Sequence, residues 1–104
     1  MDEGFTKIGE AKDIQSSTMK VYDLAGESVC VVNIEGNYYA IGNICTHQGG
    51  PLNEGTIEGY NVECPWHGSK FDVRTGIVTE PPAELPAQSY EVKIENDDIL
   101  IRKN

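Results

Sequence analysis

Cys45-Thr46-His47 and Cys64-Pro65-Trp66-His67 each set one thiol beside one imidazole, with 16 residues between the two words. Two soft thiolates and two neutral imidazoles make a complete donor set for transition metals. The C-x-H…C-x-x-H spacing is unusual because each pair mixes its ligands. If both cysteines bind one iron and both histidines its neighbour, a mixed-ligand [2Fe–2S] centre results. Its potential is raised because two anionic thiolates have become neutral rings. A closed tetrahedral zinc site, serving a structural interaction module, is the alternative. Zinc sites usually pair like ligands at wider spacing. One intervening residue is tight for two ligands on one metal and suits ligands on neighbouring metals. A Cys45–Cys64 disulfide would leave both histidines without a purpose, and nothing else points to a secreted, disulfide-held scaffold.

The residues after each pair favour an electron-rich group. Gly49, Gly50 and Pro51 follow the first, and Gly68 and Ser69 the second. A sulfide-bridged cluster needs close backbone N–H donors, and glycine permits the approach and the positive φ such a cradle requires.

Cys45-Thr46-His47-Gln48-Gly49-Gly50-Pro51-Leu52 and Cys64-Pro65-Trp66-His67-Gly68-Ser69-Lys70-Phe71-Asp72 resemble the cluster-binding loops of Rieske-type ferredoxins, the small electron carriers of ring-hydroxylating dioxygenase systems. The resemblance implies one [2Fe–2S] cluster per chain. Cys45 and Cys64 would hold the inner iron, and His47 and His67 the outer iron through Nδ1. It also implies a flavin- or NAD(P)H-dependent ferredoxin reductase as donor and a terminal oxygenase as acceptor. The small Rieske-like subunit of an assimilatory nitrite reductase is the alternative within the family. Respiratory members carry a further cysteine in each loop, joined by a disulfide; Gly50 and Trp66 stand there. Those members also present a serine and a tyrosine hydroxyl to the cluster. Ser69 keeps the first, but Phe71 replaces the second. Fewer hydrogen bonds to sulfur stabilise the reduced state less, so the expected potential lies near the low end of the Rieske range, about −150 mV.

The elements that must position these loops read as β-strands. Thr18–Leu24 alternates in polarity, and Ser28–Glu35 is rich in Val and Ile. A turn at Glu35-Gly36-Asn37 leads to Tyr38–Ile41, and the first ligand loop follows at once. Residues 56–59 and 60–63 form a second expected hairpin, entering the second loop. Phe71-Asp72-Val73 and Gly76-Ile77-Val78 flank a turn; Gln88–Glu95 alternates, and Ile99–Ile101 ends the pattern. The expected fold is all-β, an antiparallel sandwich or partly open barrel in a single domain over 1–104. A small cluster-binding subdomain is expected near 43–76. Glu80-Pro81-Pro82-Ala83-Glu84-Leu85-Pro86 cannot be a central strand. Its position matches the proline-containing loop that covers the cluster in the family. Trp66, between two ligands, reads either as a packing aromatic or as a partner-facing ring.

With 104 residues and a formal charge of −9, from 17 acidic and 8 basic side chains, the chain has no basic patch for nucleic acid. It has no apolar run long enough to span a membrane. Acids at Asp2 and Glu3 sit where a signal peptide would be basic. Together with unbridged thiols, this predicts a cytoplasmic protein. Cys30, within Val29-Cys30-Val31-Val32, reads as a small buried hydrophobe. Both histidines are taken by the cluster, leaving none for a 2-His-1-carboxylate iron site, and no nucleotide-binding glycine fingerprint is present. The chain is therefore expected to carry electrons, not to catalyse. Residues 43–53 and 64–69 carry no formal charge while acids gather from Glu80 to Asp98, a neutral tip with a charged surround suited to steering a basic partner.

Overall fold

The computed structural model describes residues 4–44, 50–66, 68–81 and 83–103. The described residues form ten strands: β1 (Thr6–Glu10), β2 (Thr18–Leu24), β3 (Glu27–Ile34), β4 (Asn37–Gly42), β5 (Thr56–Glu58), β6 (Asn61–Glu63), β7 (Lys70–Asp72), β8 (Val78–Glu80), β9 (Ser89–Glu95) and β10 (Asp98–Lys103). Short 3₁₀ turns occupy Ala11–Asp13 and Leu52–Glu54. A six-stranded antiparallel sheet runs β1-β10-β9-β4-β3-β2, and a four-stranded one runs β5-β6-β7-β8.

The larger sheet curls until its end strands meet. The Tyr22 ring on β2 lies so close over Gly9 on β1 that a Cβ there would fall 2.6 Å from it. The sheet order places no ladder between these two strands, so the barrel stays partly open. Two-residue turns with left-handed backbone tie its hairpins, at Ala25-Gly26, Glu35-Gly36 and Asn96-Asp97. The Asp23 and Asn33 side chains each accept the turn glycine's N–H at 2.8 Å.

β3 explains how the two sheets join. Its apolar run is buried on both faces, as a continuous run and not an alternating one requires. Val29 and Val31 face the barrel interior with Ala40, Tyr90, Ile99 and Ile101. Cys30 and Val32 face the other way, packing with Ile41 against Leu52, Val62, Cys64, Phe71 and Val73. The small sheet and the second ligand loop are thus held on the barrel by a shared apolar layer. Cys30 is fully buried within it, and burial pushes its thiol up to about 12. The reading of Cys30 as a core residue agrees with this place.

Two differences from the sequence reading have local causes. β1 was not expected, because Thr6-Lys7-Ile8-Gly9-Glu10 is polar and contains glycine. It forms because β10 offers an edge, with a bulge between Lys7 and Gly9. The hairpin around Arg74 is wider than expected. Asp72 accepts the Arg74 N–H on Oδ1 (2.8 Å) and the Gly76 N–H on its carbonyl (2.6 Å), so 73–77 form the loop and β8 starts at Val78.

Candidate metal centre

Of the four expected ligands, Cys64 is described; Cys45, His47 and His67 lie outside the described residues. Among the described residues no three His, Cys, Asp or Glu side chains converge on a metal position. The fit of the chain to a cluster therefore rests on Cys64 and on the segments that bring the loops to it.

The first loop leaves the barrel at Ile44 and returns at Pro51, two residues joined by an isolated antiparallel bridge. Asn43 locks this base. Its carbonyl accepts the Leu52 N–H (2.7 Å), its own N–H donates to the Ser28 carbonyl (3.0 Å), and its side chain pairs reciprocally with Asn53. Asn43 Oδ1 accepts the Asn53 backbone N–H and Asn43 Nδ2 donates to Asn53 Oδ1, both at 2.8 Å. The sequence reading passed over this pair, since an Asn beside a loop looks like an ordinary turn former. Gly55 was missed too. A Cβ there would sit 1.8 Å from the Glu63 carbonyl oxygen, so only glycine allows β5 to reach β6.

The second loop is closed at its foot by Cys64, whose N–H donates to the Ser69 carbonyl at 2.7 Å. Cys64 is 1% exposed, and its Sγ accepts the Trp66 N–H at 3.4 Å. Gly50 brings the first loop down onto it: a Cβ at that position would lie 2.9 Å from Cys64 Sγ and 3.0 Å from the Trp66 ring. A buried sulfur with an amide donor and close glycine backbone is the setting a cluster thiolate needs. Gly50 and Trp66 are neighbours here, the indole ring packing against the Gly50 backbone. Trp66 remains about half exposed (48%), both a packing aromatic and a surface one.

The proline-rich segment packs on this end. Ala83 and Ala87 are buried; the Ala83 N–H donates to Ser69 Oγ (3.0 Å) and the Ala87 N–H to the Gly76 carbonyl (2.8 Å). Gly76 has φ +83° and would clash with Ala87 through any Cβ, at 2.2 Å from its oxygen. Phe71 is fully buried in the shared apolar layer and offers no hydroxyl. Ile44, Trp66, Ile77 and Leu85 are large apolar side chains that stay exposed on these loops. Charge lies on the adjoining small sheet. The Arg74 guanidinium holds the Asp72 carboxyl below the usual carboxylate range and stacks 4.2 Å from the Tyr60 ring centre. Lys70 does the same to Glu58 across 2.7 Å.

Cys64, buried directly after β6 and approached by Gly50, is the described part of the expected cluster site. Residues 4–91 match the family described as "Rieske [2Fe-2S] domain". The ferredoxin component of biphenyl 2,3-dioxygenase from Rhodococcus jostii (strain RHA1) is 36% identical over 96 residues, covering 92% of this chain and 90% of that protein. The ferredoxin of carbazole 1,9a-dioxygenase from Nocardioides aromaticivorans IC177 superposes with a TM-score of 0.91 at 30% identity, covering 97% of this chain and 99% of that one. Apoptosis-inducing factor 3 of Mus musculus is 34% identical over 95 residues, 91% of this chain, but the chain spans only 16% of that protein's length. The chain belongs to the Rieske [2Fe–2S] domain family, and its cofactor is one [2Fe–2S] cluster. The zinc reading is set aside.

Proposed function

We propose that this protein is a one-electron carrier that takes electrons from a reductase and delivers them to the terminal oxygenase of a ring-hydroxylating dioxygenase system. Cys45 and Cys64 supply the thiolates, and His47 and His67 the imidazoles. The cluster, when bound, alternates between two states one electron apart. The chain's own residues hold it at a neutral tip, limit the donors around it and present an apolar surface for docking. Residues 1–104 act as one domain whose cluster-binding part spans about 43–76. The observation that carries this reading is buried Cys64 under Gly50 and the Trp66 amide, within a chain similar over most of its length to ferredoxin components of dioxygenases. That likeness favours the oxygenase system over the nitrite reductase alternative.

Two residues argue for a low potential, near −150 mV on the Rieske scale. Phe71 cannot donate a hydrogen bond, and the tryptophan at the disulfide position leaves the loops without a covalent staple. The donor is a flavin- or NAD(P)H-dependent ferredoxin reductase, and the setting is the cytoplasm. No helix among the described residues is long and apolar enough to cross a membrane. The exposed Ile44, Trp66 and Leu85 form the contact, and the net charge of −9 steers a basic partner face.

Anaerobic preparation tests the core of this reading. The expected protein is red-brown, with about two irons and two acid-labile sulfides per chain. Its reduced form should give a mixed-ligand [2Fe–2S] paramagnetic resonance signal. A colourless protein with one zinc would overturn it. A red-brown protein that passes no electrons to an aromatic-ring oxygenase, yet co-purifies with a large reductase subunit, would replace the acceptor.

A further inference from the structure

We propose that a groove between the two sheets is a docking site for an extended, basic segment of a partner protein. β2 is an end strand of the larger sheet and β5 an end strand of the smaller one. The two border one open cavity of about 620 Å³, to which β2 contributes Met19 and β5 contributes Ile57. Met19, Ile34 and Ile57 form an apolar floor that rests on the shared core layer. The groove reaches Asn53, which clamps the base of the first ligand loop, so the site adjoins that loop.

The register shows what the two edges offer. Ala25-Gly26 and Gly59-Tyr60 are two-residue turns, and in such a hairpin the flanking pair exchanges both hydrogen bonds. Bonding then alternates along the ladder. Leu24 pairs with Glu27 in this way, so Tyr22, Lys20 and Thr18 are the residues bonded to β3. Met19, between the last two, turns its N–H and C=O off the free edge. Glu58 is bonded to Asn61 and Thr56 to Glu63, so Ile57 likewise turns its main-chain groups away from β6. One main-chain donor and acceptor from each sheet thus border the same apolar-floored cavity. An extended segment brings the matching donors and acceptors, and its alternate side chains can rest on the floor. Charge selects the occupant. Among the described residues lining the cavity Glu35 alone is charged; it is exposed and enters no ion pair among the described residues. Glu54, next to Asn53, is exposed too. Lys20 on β2 turns to the opposite face, its ammonium 5.5 Å from the Tyr22 ring centre. A segment carrying Lys or Arg complements this acidic rim. A second copy of this chain would bring a charge of −9 against it.

The test uses the full chain with its cluster and two acetylated, amidated hexapeptides, one alternating lysine with valine and one alternating glutamate with valine. At saturation the lysine peptide should slow hydrogen exchange about 5-fold or more in the fragments that contain the Met19 and Ile57 amides, and leave β9 unchanged. The glutamate peptide should protect neither. A lysine peptide with every amide N-methylated keeps the charge but cannot donate from its main chain, and it should protect neither as well. Glu35→Lys, at an exposed turn, is expected to weaken the lysine peptide about 3- to 10-fold. Absence of protection at Met19 and Ile57 overturns the site. Equal protection by the methylated peptide overturns strand pairing, and equal protection by the glutamate peptide, or an unchanged affinity in Glu35→Lys, overturns the basic occupant. Protection that grows with protein concentration in the absence of peptide makes a second copy the occupant and overturns the partner segment.

Discussion

The base of the first ligand loop hangs on Asn43, and Asn43→Ala is the sharpest probe of it. The substitution removes two side-chain hydrogen bonds of 2.8 Å to Asn53 and leaves the Asn53 N–H without its acceptor. Asn43 is 4% exposed, so water cannot easily take the place of its amide. Each lost bond costs about 0.5–1.5 kcal/mol and an orphaned buried donor up to about 3, so opening of the base should become easier by about 2–3 kcal/mol. The Leu52 amide reports this, because it donates to the Asn43 backbone carbonyl at 2.7 Å and that acceptor survives the substitution. At 1.4 kcal/mol per tenfold, its native-state hydrogen-exchange protection should fall about 30- to 140-fold. Loss of the visible cluster colour on standing should quicken in parallel. Asn53→Asp is the control. It keeps the oxygen that accepts from Asn43 Nδ2 and the backbone N–H that donates to Oδ1, so protection at Leu52 should change less than about threefold. If Asn43→Ala leaves Leu52 protected within threefold, or if Asn53→Asp does equal damage, the clamp is not what holds the loop.

Further outcomes follow from other contacts. Gly55→Ala forces a Cβ against the Glu63 carbonyl and should cost about 3 kcal/mol, lowering Tm by more than 10 °C. Gly26→Ala, where φ is +89° but nothing lies within 4 Å, should cost only about 1–2 kcal/mol of backbone strain. The Asp72 carboxyl is held below its ordinary value by Arg74, so its contribution is present above the unfolded carboxylate range and is lost as pH falls through its folded value. The Tm gap between wild type and Asp72→Asn should therefore close below about pH 4 and stay open near neutrality. Cys30, its thiol pushed up to about 12 by burial, should resist alkylation in the native protein, with peptide mapping showing modification only after unfolding. The same shift makes stability fall as pH rises from the unfolded thiol's range toward 12. Electron transfer to the oxygenase should slow as salt is raised from 10 to about 200 mM; a rate indifferent to salt removes steering as an explanation.

The donor types along the chain narrowed the metal chemistry. Two thiols and two imidazoles at mixed, short spacing allow few metal groups, and that is a property of donor type and order along the chain. The hairpins of the barrel were legible too, because apolar runs bounded by turn residues such as Glu35-Gly36 and Asn96-Asp97 carry their own local signal. The burial of Cys30 was legible in the same way, from its β-branched neighbours. The remaining features come from packing between distant segments. β1 forms because β10 presents an unpaired edge, which no property of Thr6–Glu10 announces. Gly50 meets Trp66, Asn43 meets Asn53 and Ala83 meets Ser69 across gaps of 10 to 16 positions. Such contacts follow from how the small sheet docks on β3 and β4, and docking depends on the summed burial of many side chains at once. A hydrogen bond between distant residues leaves no periodicity behind, so the positioning of the site becomes visible only when the chain is folded.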